Sequence, residues 1–151
     1  MNRTRAAALA ALTLAIALPA AAGGGGDDSD EFREDYNAAV ENLSKVNDDI
    51  GQAGGDAGQS NQQIANKFDE IADTAEQTRT DLAALEPPED AKEEFDELLA
   101  ALKKGVADLR AVADAATSND PAATAQAVSD LSESGAEITK AEAALKDAVD
   151  G

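Results

Sequence analysis

Histidine, cysteine and tryptophan are all absent from these 151 residues, and tyrosine occurs once, at Tyr36. Without His or Cys there is no Ser-His-Asp or Cys-His nucleophilic site, no haem held by imidazole and no Cys/His zinc site. The Glu-x-x-His ligands of di-iron helical bundles are excluded for the same reason. No disulfide can form, so an oxidising compartment adds nothing to stability. Carboxylates remain for acid/base work, but that chemistry needs a cleft, and a narrow Ala-rich bundle offers little room for one. The expectation is a non-enzyme without a cofactor. The glycine-rich stretch Gly54, Gly55, Asp56, Ala57, Gly58 lacks the Lys and Ser/Thr ending of a phosphate loop and follows no strand.

Positive charge is also scarce. Twelve Lys and Arg face 31 Asp and Glu, a net charge of −19. Such a surface repels nucleic acid and anionic lipid headgroups and attracts cations or basic partners diffusely. A specific calcium site is not expected, since Asp27, Asp28 and Asp30 lack the EF-hand order. The Gly-rich stretch around Asp56 resembles half of one calcium-binding nonapeptide, and those repeats work only in arrays. Glu93, Glu94, Asp96 and Glu97 read as a solvated face near the positive end of a helix dipole.

The N-terminus breaks this acidic pattern. Arg3 and Arg5 precede an apolar run over 6–18 interrupted only by Thr13, then Pro19, then Ala20, Ala21 and Ala22. That is the layout of a secretory signal peptide, with Ala20 and Ala22 in the small-residue subsites and cleavage before Gly23. The run is too short for a membrane anchor, which needs about 20 residues in a helix. The chain is therefore expected to divide into a signal peptide at 1–22, a Gly/Asp-rich spacer at 23–28 and a helical region at 29–151. Removing a leader with two Arg and no acid lowers the net charge from −19 to −21.

Large apolar side chains are few. Beyond residue 22, Leu, Ile, Val and Phe supply 22 of 129 residues, about 17 per cent, while Ala supplies 26. Content this low with high net charge is also the composition of disordered chains, so periodicity has to decide. It favours helices. Phe32, Tyr36, Ala39, Leu43, Val46 and Ile50 step by threes and fours, with Gly51 as the expected stop and Asp28 as the expected N-cap. Ile64, Phe68, Ile71, Ala75, Thr78, Leu82 and Leu85 do the same behind a Ser60/Gln63 capping box. Pro87 and Pro88 break the pattern, and Phe95, Leu98, Leu102, Gly105, Leu109, Val112 and Ala116 form a third seam. Asp120 caps a fourth, with Pro121 at its first position and Val128, Leu131, Gly135, Ile138, Leu145 and Val149 on one stripe, into which Glu142 intrudes.

Four segments at about 29–50, 60–85, 88–116 and 121–149 with short connections predict an all-α, antiparallel up-down-up-down four-helix bundle, monomeric, with a shallow left-handed supercoil. A three-helix core with a loosely attached first helix is the nearest variant. Gly105 and Gly135 fall on their seams at one level. Folding about Pro87 places Phe68 there too, with Leu43 and Leu102 nearby. Either the glycines make room for the Phe68 ring, or they leave a small apolar gap for a ligand.

Two resemblances follow. The Gly23–Gly26 and Asp27–Asp30 spacer is similar to the tether of bacterial lipoproteins, in which a lipidated Cys precedes such a segment; the Cys is missing, so release and not anchoring is implied. The stretch from Leu85, Glu86, Pro87 and Pro88 to Leu145 resembles small exported, lipoprotein-like helical-bundle proteins of Ala-rich bacteria, whose function is unknown. Both imply an extracytoplasmic protein, and neither supplies an activity. With the acidic charge, the expectation is a protein that acts by interaction with a protein or other envelope component, with no nucleic-acid partner and no stable membrane anchor after cleavage. Alternative readings are a carrier of a small apolar ligand at the Gly105/Gly135 level, and a largely disordered solvating protectant.

Overall fold

A computed structural model of the chain describes residues 27–55, 59–118 and 120–150. The expected leader, with Ala20, Ala22 and Gly23 at its cleavage point, lies outside these residues, as does most of the spacer. Four helices account for nearly all of the described chain: α1 Asp27–Gly55, α2 Asn61–Leu82, α3 Lys92–Ser118 and α4 Pro121–Asp150, with a 3₁₀ turn at Glu89–Ala91 before α3. No described residue is in a strand, and none of the described helices is long and apolar enough to cross a membrane.

Local chemistry sets the ends. The Ser60 hydroxyl accepts from the Gln63 amide, and the Ser60 amide donates to Gln63 Oε1 at 2.9 Å, closing the capping box at α2. Asp120 Oδ1 accepts from the amides of Ala122 at 2.9 Å and Ala123 at 3.3 Å, starting α4. Two expected boundaries are corrected. Gly51 does not stop α1, which continues to Gly55 and buries Ala53; one glycine costs a helix roughly 1 kcal/mol, which tertiary burial outweighs. Asp28 lies inside α1, not at its cap.

The helices alternate in direction. Asp73 of α2 meets Arg110 of α3, Lys104 of α3 meets Glu137 of α4, and Arg33 near the start of α1 meets Asp150 at the end of α4. The expected four-helix bundle is the observed fold, and α1 belongs to it. Phe32, Tyr36, Leu43 and Val46 of α1 are all buried. Among the described residues, close backbone packing joins α1 to α2, α2 to α3 and α3 to α4, whereas the backbones of α1 and α4 stay farther apart. Side chains close that wider gap: Phe32, Tyr36 and Leu43 of α1 share a buried cluster with Ile138, Ala141 and Leu145 of α4.

The core falls into two clusters. One, toward the α3–α4 turn, gathers Phe68, Ile71, Val112, Ala116 and Leu131. The other, toward the opposite end, gathers Phe32, Tyr36, Phe95, Leu98 and Leu145. Three of the four aromatic rings sit in the second cluster, with Phe32 and Phe95 edge to face at 5.5 Å. Alanine fills much of the first.

Candidate functional site

The division between the two clusters is marked by a cavity of about 30 Å³ that is not fully sealed from solvent. From the second cluster it takes Leu43, Leu102 and Ile138; from the first, Val46, Ile50, Val106 and Leu109. Gly105 and Gly135 complete the wall at the α3–α4 contact, and Ala75 is the contribution of α2. The lining is almost wholly hydrocarbon, with Asn47 its one polar side chain. The Asn47 Oδ1 is buried and has no hydrogen-bond partner.

Of the five residues expected at a mid-bundle gap, Leu43, Leu102, Gly105 and Gly135 line this cavity. Phe68 does not. Folding the second and third segments about Pro87 assumes a tight turn, but α2 ends at Leu82 and residues 83–91 continue along the bundle before α3 begins. The Asp73–Arg110 pair at 3.5 Å fixes the resulting register. It sets Gly105 near the level of Thr78, so Phe68 lies about ten residues, or ~15 Å, further along α2. There its ring packs in the cluster that holds Val112 and Ala116.

Ile138 takes the place expected for the Phe68 ring. A Cβ on Gly105 would meet Ile138 Cδ1 at 3.0 Å, and no other atom close by. Gly105 thus accepts one methyl group from α4, and the cavity remains beside it. The obstacle to a larger residue is the flexible end of one side chain, not backbone.

Charged groups gather elsewhere. Arg33 and Glu142 are buried at the α1–α4 seam, 6% and 1% exposed. Arg33 Nη2 donates to the Val149 carbonyl at 2.7 Å and to Asp150 Oδ1 at 3.2 Å, so it caps the C-terminal turn of α4 and holds α1 against it. Tyr36, 1% exposed, has a hydroxyl with no hydrogen-bond partner. Burial, and secondarily the charge of Glu142, push its phenol well above the ordinary range. The periodicity alone had no means of finding Arg33, because its position beside Phe32 gives no hint that its stem turns inward.

The remaining perturbed groups are surface pairs. Glu76 is held below the usual carboxylate range by its hydrogen bonds from Arg79, and Lys104 is raised by its hydrogen bond to Glu137. Ser134, wholly buried, donates to Asp108 across the α3–α4 contact and to the Asp130 carbonyl at 3.0 Å. No group of three or more acidic side chains among the described residues is arranged to hold a metal ion. No family model, curated protein or solved structure matches the chain. Fold and site together define an all-α four-helix bundle with a small apolar cavity where its core divides.

Proposed function

We propose that the protein is exported, released from its leader, and acts without catalysis by binding another protein or component of the cell envelope or extracellular space. The observation that carries this is the separation of its chemistry. Among the described residues almost every charge lies on outer helix faces, while the interior is mostly hydrocarbon, with Arg33, Thr78, Ser134, Glu142 and the Tyr36 hydroxyl as buried polar groups.

Shifted titrating groups gather at sites that perform chemistry. Here the shifted groups are solvated ion pairs at Glu76–Arg79 and Lys104–Glu137, plus a tyrosine sealed in the core. An acidic, helical surface suits recognition of a basic partner, with association faster at low salt. The signal-peptide layout and the spacer supply the extracytoplasmic setting.

Cross-linking the mature protein in its native envelope tests this reading. Recovery of one specific partner, lost as ionic strength rises, is the expected result. Recovery of no specific partner from an envelope that contains the protein contradicts it.

A further inference from the structure

We draw no further inference here: the strongest candidate, the outer groove between α3 and α4 lined by Ala100, Ala101, Ala141 and Ala144, is a stripe of small residues, and nothing in the structure shows what covers it.

Discussion

Ile138 Cδ1 lies 3.0 Å from the point that a Cβ on Gly105 would occupy. Here α3 and α4 thus meet through a methyl group set against a bare backbone. Replacing Gly105 with Ala gains up to roughly 1 kcal/mol of helix preference, while Ile138 must yield by a few tenths of an ångström. The neighbouring cavity can take the displaced methyl. Urea unfolding of Gly105→Ala should therefore give a stability equal to wild type or higher by up to about 1 kcal/mol. A loss near 2 kcal/mol, in the range of overpacked cores, would mean that Ile138 cannot move.

Gly51 provides the contrast. It sits inside α1, exposed, and a Cβ added there would have nothing within 4 Å. Gly51→Ala should stabilise by about 0.5–1 kcal/mol through helix preference alone. A shift in the urea midpoint with an unchanged slope is the expected signature.

Tyr36 predicts a loss of stability in alkali. Its phenol keeps its proton in the folded state at pH values where the unfolded chain has lost it. The unfolded state then binds fewer protons, so stability is constant below about pH 10 and falls as pH rises toward the folded pKa. Tyr36→Phe should remove that part of the pH dependence. It should also stabilise at neutral pH by about 1 kcal/mol, since it deletes a buried hydroxyl without a partner. With one Tyr and no Trp in the chain, phenolate absorbance follows this residue alone. Glu142→Gln should lower the titration midpoint only in part, because burial is the larger cause.

Arg33 ties α1 to the end of α4. Arg33→Met preserves much of the buried stem but removes the bonds to the Val149 carbonyl and Asp150. A loss of about 1–3 kcal/mol is expected, with amide exchange quickening in α1 and at the end of α4 more than in α2 and α3. Uniform acceleration over all four helices would show that α1 has no independent opening.

Much of the fold is legible in the sequence because it rests on local rules. The threes-and-fours spacing from Phe32 to Ile50 and from Phe95 to Ala116 needs no tertiary information, and neither do the caps at Ser60 and Asp120. Register between helices is less legible. Gly105 and Gly135 align from the sequence because only two residues separate α3 from α4, whereas Phe68 does not, because residues 83–91 do not reverse the chain at once. Gly51 reads as a helix stop only when local preference is weighed without the burial of Ala53. The inward turn of Arg33 depends on the last residues of a helix more than a hundred positions away, and nothing local records it.

Export of an acidic helical bundle freed from its leader is the central claim, and the mass of the mature protein in fractionated cells tests it most directly. The expected species is soluble and extracytoplasmic, begins at Gly23, and has a free amino terminus and no attached lipid. A protein that begins at Met1 and remains in the cytoplasm, or one that carries an acyl chain, would contradict it.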